Sequence, residues 1–204
     1  MSTLVKHKII RPIAIQEKLE EKGMTLFTPN EFWRLFSLSP EKTKYFLETY
    51  TKQGLFIRLK KGIYALKRKY PNEEVIANTL YKPSYISLEY ALSVYGIIPE
   101  SPYTITSVTT KTTASFVALG REFSYTKIKK AAFTGYVPKK AGGRTYFIAD
   151  PEKAVADYMY LVALGQRSPN DRMTIDRLNR KKIERYAKLY NRPKLTTLIK
   201  TLSK

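Results

Sequence analysis

Three stretches of helical apolar spacing fill the first half-hundred residues, and short β-type runs follow them. Ile15 and Leu19 stand four apart within 13–22, with Gly23 as a stop, and predict a first helix. TPNEFWRLF (28–36) opens with a capping box: Thr28 can accept from the N–H of Glu31, and the Glu31 carboxylate can reach back. Pro29 suits the first turn, and Phe32, Leu35 and Phe36 form an inward stripe. After the short turn SLSP (37–40), Ser39 and Pro40 start a third helix that runs to about Gln53 and ends at Gly54. Its Phe46, Leu47 and Tyr50 share an inward face. Lys42, Lys44, Tyr45, Thr49 and Lys52 fall mostly on the other side. LFIRL (55–59) and IYAL (63–66) then read as strands joined by Lys60-Lys61-Gly62.

Helix, helix, short turn, helix and two-stranded hairpin is the order of a winged helix-turn-helix domain. On that reading the third helix enters the major groove through Lys42, Lys44, Tyr45, Thr49 and Lys52, and the hairpin tip sets Arg58, Lys60 and Lys61 on phosphates.

KRKYPNEE (67–74) is a polar, proline-containing connector. It divides the chain into an N-terminal DNA-binding domain (1–68) and a C-terminal α+β domain (73–204). Within the latter, 73–80 reads as helix, YIS (85–87) as extended, and SLEYALSVYG (87–96) as helix with Ser87 as its cap. TITSVTT (104–110), ASFVALG (114–120), REFSYTKI (121–128) and RTYFIA (144–149) are rich in Thr, Val, Phe and Tyr and read as strands. KKAGGR (139–144) reads as a flexible loop, with an anion-binding nest as its rarer use. ADPEKAVADYMYLVAL (149–164) begins a helix with Asp150 as cap and Pro151 in the first turn. Helices around 175–190 and 194–202 follow, split at Pro193, the last with a stripe of Leu195, Leu198, Ile199 and Leu202. Strands are thus grouped centrally, helices terminally, and no repeat is present.

Charge sharpens this division. The net charge is +20, but residues 1–70 carry 15 Lys/Arg against 6 Asp/Glu, 71–176 carry 12 against 10, and 177–204 carry 10 against 1. Positive charge gathered at both ends of a nearly neutral middle points to a polyanionic partner, nucleic acid first. Hydrophobic content of 43% suffices for a core. The absence of cysteine excludes disulfides, thiol nucleophiles and Cys-ligated zinc. No apolar run approaches the roughly 18 residues of a membrane span, and the start lacks a signal-peptide h-region, so a soluble, cytoplasmic protein is expected.

Catalytic chemistry has few candidates. His7 is the single histidine and lies near the terminus. No phosphate loop or dinucleotide fingerprint occurs. Asp150, Glu152 and Asp157 have ordinary helix roles open to them, and Asp171 and Asp176 flank a helix start. No enzyme activity, cofactor or metal is expected. Among the 16 tyrosines, Tyr85, Tyr90, Tyr95, Tyr103, Tyr125, Tyr136 and Tyr146 lie in the middle region. Aromatics among basics can stack single-stranded bases, though core and half-buried positions are the expected default.

FTPNEFWRLF…GLFIRLKKGIYAL, YISLEYALSVYGII and FIADPEKAVADYMYL, in this order and spacing, resemble the AbiEi-type antitoxins of type IV toxin–antitoxin (abortive infection, phage defence) systems. The resemblance spans about three-quarters of the chain. It implies a winged helix that binds inverted repeats in its own promoter and represses it. It also implies a C-terminal domain that neutralises a nucleotidyltransferase toxin without a stable complex. The chain lacks the Gly-Ser and Asp-x-Asp hallmarks of the toxin. The expectation is therefore an autoregulating transcriptional repressor and antitoxin, acting as a monomer or a DNA-induced dimer. The alternative is an RNA-binding protein that uses the aromatic middle and the basic tail.

Overall fold

The structure, a computed structural model, describes residues 11–202; His7 lies outside them. The chain divides at Pro71/Asn72 into two compact units. Together the described residues form eight α-helices and two sheets, an α+β architecture.

The first unit runs α1 (Pro12–Glu21), β1 (Leu26–Phe27), α2 (Pro29–Phe36), α3 (Pro40–Lys52), β2 (Phe56–Lys60) and β3 (Ile63–Leu66). Both halves of the α2 capping box form. Thr28 Oγ1 accepts from Glu31 N at 3.3 Å, and Glu31 Oε2 accepts from Thr28 N at 2.7 Å. Ser39 Oγ accepts from Lys42 N at 3.3 Å and starts α3. β2 and β3 are antiparallel across Lys61-Gly62, and Gly62 takes φ +81°, a value that a side chain would strain. A bulge between Arg58 and Lys60 turns Leu59 inward while Arg58 stays in solvent.

The two-residue β1 pairs with β3 and makes the sheet three-stranded, in the order β1-β3-β2. Two residues are too few to give a periodic signal, so the sequence pattern shows only two strands here. The core gathers Ile15, Leu19, Phe27, Phe32, Leu47, Tyr50, Phe56 and Leu66. Phe27 meets Phe32, Phe56 and Tyr64 at centroid distances of 5.6, 5.2 and 6.3 Å. Each of these buried phenylalanines contributes roughly 1.5–3 kcal/mol by leaving water.

The second unit runs α4 (Glu73–Leu80), β4 (Ser84–Ile86), α5 (Leu88–Val94), β5 (Ile105–Thr109), β6 (Ala114–Ala118), β7 (Arg121–Lys127), β8 (Tyr136–Ala141), β9 (Arg144–Ala149), α6 (Pro151–Ala163), α7 (Arg180–Lys188) and α8 (Pro193–Thr201). Six strands form one mixed sheet in the order β6-β7-β5-β4-β9-β8. β5 pairs parallel with β7 and β4 with β9, and the other pairs are antiparallel. Every residue of β5 is buried, as suits an interior strand covered on both faces. The β4–β9 pairing is confined to Ile86 and Ile148, and at Phe147 the Asn78 amide of α4 takes the place of a strand neighbour. Its Nδ2 donates to Phe147 O at 3.3 Å, and its Oδ1 accepts from Phe147 N.

Residues 139–144 correct the sequence reading. They are the tip of the β8–β9 hairpin, closed by Gly142-Gly143, and not a flexible loop. Pro138 and two lysines hide β8 from propensity because it is an edge strand, where such residues are tolerated. Ser87 is corrected too. It occupies the N-cap position of α5, but its hydroxyl goes to Asp157, and Thr106 Oγ1 from the adjacent strand accepts Tyr90 N at 3.0 Å instead.

Candidate nucleic-acid interface

The 100° step of an α-helix sorts the exposed residues of α3 around its axis. Thr43, Leu47 and Tyr50 are buried. Diametrically opposite, Glu41, Tyr45, Glu48 and Lys52 form the centre of the solvent face, with Tyr45 at 64% exposure. Lys42 and the half-buried Thr49 flank it on one side, and Lys44 on the other. Arg58 and Lys61 are exposed on the hairpin and Lys60 is half-buried. Packing brings the helix and the hairpin together: Tyr50 of α3 meets Phe56 of β2 edge-on at 5.9 Å.

Two carboxylates on this face escaped the sequence reading. Glu41 is held below the usual carboxylate range by its own N–H and by Ser39. It therefore carries full negative charge at neutral pH, in the helix first turn where the dipole favours it. Glu48 lies one turn beyond Tyr45. The face is a mixed donor–acceptor surface and not a uniform cationic patch.

Beside it runs a groove of about 240 Å³ between α2, α3 and β3, lined among others by Asn30, Trp33, Thr43, Lys44, Glu48 and Tyr64. Trp33 is 41% exposed, and Thr43 Oγ1 is buried without a hydrogen-bond partner. Of these lining residues, only Lys44 belongs to the basic set that the sequence pattern marks. An exposed tryptophan beside the stripe of Phe32, Leu35 and Phe36 is the one signal that marks the groove.

In the second unit, Lys181, Arg185 and Lys188 form an exposed i, i+4, i+7 ridge on α7 with Glu184 among them. Lys182 points inward instead. Its Nζ lies 3.1 Å from Asp150 and 2.9 Å from Glu152, which pushes its pKa up to about 12. Asp150 caps α6 by accepting Lys153 N at 2.8 Å and also accepts Tyr186 OH at 2.6 Å. The Tyr186 ring lies where a Cβ on Gly135 would stand, 2.6 Å from Cε1, so only glycine fits there.

The middle tyrosines divide by burial. Tyr85, Tyr125 and Tyr146 are buried, Tyr90 and Tyr95 half-buried, and Tyr103 and Tyr136 exposed. Desolvation raises the phenols of Tyr85, Tyr90, Tyr95, Tyr125 and Tyr146, so each stays neutral.

Asp157 is the centre of a buried hub. Its Oδ2 accepts from Tyr85 OH at 3.0 Å and Ser87 Oγ at 2.7 Å, and its Oδ1 from Lys153 Nζ and Tyr190 OH. Lys153 Nζ also reaches Tyr190 OH at 3.1 Å and sits 4.8 Å from that ring's centroid. Lys153, Asp157, Tyr85, Ser87 and Tyr190 all have zero exposure. An amine, a carboxylate and two phenols in contact have the makings of acid–base chemistry, but with no path from solvent they hold α6 to β4 and to the end of α7. The signal was a Lys and an Asp four apart in a window otherwise apolar, since charges so placed must pair.

Among the described residues no group of three or more His, Cys, Asp or Glu is placed to hold a metal ion, and no helix is long and apolar enough to cross a membrane. Comparison with protein-family models and with curated proteins finds no match to this chain.

Proposed function

We propose that the chain is a duplex-DNA-binding transcriptional repressor built on a winged helix-turn-helix first unit. The observation that carries the reading is the mixed outer face of α3 beside a basic hairpin: Lys42, Tyr45, Thr49 and Lys52 on the helix, Arg58, Lys60 and Lys61 on the hairpin. Glu41 and Glu48 refine it. A carboxylate is repelled by phosphate but accepts from the exocyclic amine of cytosine, so this face suits the groove floor, with the hairpin on the backbone. The role as an antitoxin against a nucleotidyltransferase rests on the sequence resemblance alone and is proposed with it.

Fluorescence anisotropy against the chain's own upstream DNA and a scrambled duplex, at two salt concentrations, tests the reading. Arg58/Lys60/Lys61→Ala should weaken both duplexes alike and flatten the salt slope, which is about −0.9 per phosphate neutralised. Glu48→Ala should narrow the gap between the two duplexes, a loss of about 1–3 kcal/mol on one sequence only. Equal, weak binding of both duplexes by the unaltered chain would defeat the proposal.

The α7 ridge favours a second reading, contact with RNA phosphates. Competition by tRNA that Lys181/Arg185/Lys188→Ala abolishes and the hairpin changes leave intact would select it.

A further inference from the structure

Two threonines inside helices of this chain donate to their own helix. Thr51 Oγ1 donates to Leu47 O at 2.6 Å and Thr79 Oγ1 to Val75 O at 2.9 Å, each four residues back. Thr43, in the same helix as Thr51, does not. It is 4% exposed, and its Oγ1 has no partner. A buried hydroxyl left unpaired is costly, and folded proteins keep few of them. This one lies on the wall of the groove between α2, α3 and β3.

The rest of that lining joins apolar walls to one pair of opposite charges. Trp33, Leu47, Tyr64, Pro29 and Pro40 supply the walls, and the Tyr64 ring is itself stacked on Phe27. Lys44 and Glu48 stand one turn apart on α3, both exposed. With lysine N-terminal to glutamate, their i, i+4 order is the weaker one for mutual pairing. No ion pair joins them among the described residues. A simple cation meets Lys44 in this groove, and a simple anion meets Glu48. A small zwitterion that carries a flat ring suits both charges and the walls.

We infer that the groove is a binding site for a free aromatic α-amino acid. The ring lies against the Trp33 indole, the carboxylate goes to Lys44 and the ammonium to Glu48. Thr43 Oγ1, able to donate or accept, gains its missing hydrogen bond from one of those two groups. The space of about 240 Å³ is of amino-acid size. A peptide would bring only one of the two charges to this spot, and a nucleotide would set its phosphate against Glu48. The site does not rest on DNA binding, and of the residues that carry that reading it shares only Glu48.

Trp33 is the chain's single tryptophan, so its fluorescence, excited beyond the absorption of the 16 tyrosines, reports this groove alone. Titration without DNA tests the inference. L-phenylalanine or L-tyrosine should change the emission saturably. Phenylalaninamide, N-acetylphenylalanine and leucine lack in turn the carboxylate, the ammonium and the ring, and each should bind about tenfold more weakly or worse. Thr43→Val removes the hydroxyl at nearly constant shape. It should weaken binding about tenfold while melting stays unchanged or rises, and Thr43→Ser should keep the affinity. No saturable change with either amino acid, an amide and an N-acetyl form that bind as well as phenylalanine, or undiminished binding by Thr43→Val would overturn the inference.

Discussion

Helices α3 and α6 are each 13 residues long, begin with proline, and are capped by a side-chain oxygen that accepts the N–H three residues on. Their fates diverge completely. α3 buries Thr43, Leu47 and Tyr50 and keeps its charges in water. α6 buries every residue from Lys153 to Ala163, a lysine and an aspartate included. Length and capping therefore say that a helix forms, and the distribution of apolar residues around it says how much of it solvent sees. Charge means opposite things in the two settings. On α3 an exposed lysine keeps its hydration and costs the fold nothing. On α6 a lysine is tolerable only because a carboxylate four residues away and the Tyr190 hydroxyl from beyond α7 meet it.

The sharpest way to break this contrast is Asp157→Ala. It leaves Lys153 buried and uncompensated and should cost about 3–5 kcal/mol in urea unfolding. The double change Lys153→Met/Asp157→Leu should recover most of that loss. A single change costing under about 1 kcal/mol would mean that the hub is not the anchor of α6. Next come the caps. Ser39→Ala on α3 should cost about 1 kcal/mol, and Asp150→Ala on α6 more, because Asp150 also holds Tyr186 and Lys182.

Smaller still is a pH effect at the α6–α7 junction. Burial works against the charge of Glu152, but the hydrogen bonds from Lys182 and the Asn179 N–H outweigh it and set its pKa below the ordinary 4.5. A depressed folded pKa means that its contribution is present above about pH 4.5 and lost as pH falls through the lowered value. Lys182, raised to about 12, contributes fully below 10.5 and loses its contribution as pH climbs toward 12. Glu152→Gln should therefore lose less stability than the unaltered chain between pH 4.5 and the acid limit, as read by melting temperature. The smallest effect on folding belongs to α3: Lys42→Ala, Tyr45→Ala and Lys52→Ala should each shift stability by less than about 0.5 kcal/mol while weakening the DNA binding proposed for this face.

Much of the local structure was legible. The Thr28–Glu31 box, the Ser39 and Asp150 caps and the Gly62 turn involve residues within three positions of one another, so adjacent side chains carry the whole signal. Ser87 was misjudged because its hydroxyl has two possible uses, and the deciding partner, Asp157, is 70 residues away. β8 was missed because its pairing with β9 overrides a weak propensity. The outer face of α3 was recovered in its basic residues. Glu41 and Glu48 share that face because the helical repeat sets them between the lysines, a placement that charge counting alone does not reveal.

By itself, the sequence determined where the capped helices α2, α3 and α6 start, the segregation of positive charge to both ends, and the inventory that leaves no cysteine and a single histidine for chemistry. These are properties of neighbours and totals, which need no fold. It did not determine the start of α7, which begins at Arg180 and not near 175. Only the tertiary structure decided that Lys153 and Asp157 are sealed in contact with Tyr85, Ser87 and Tyr190, that Asn78 stands in for a strand, and that Thr43 keeps a buried hydroxyl without a partner. Each of those depends on residues distant in the chain meeting in space, and burial, the quantity that sets the cost of a charge or an unpaired amide, does not exist until they do.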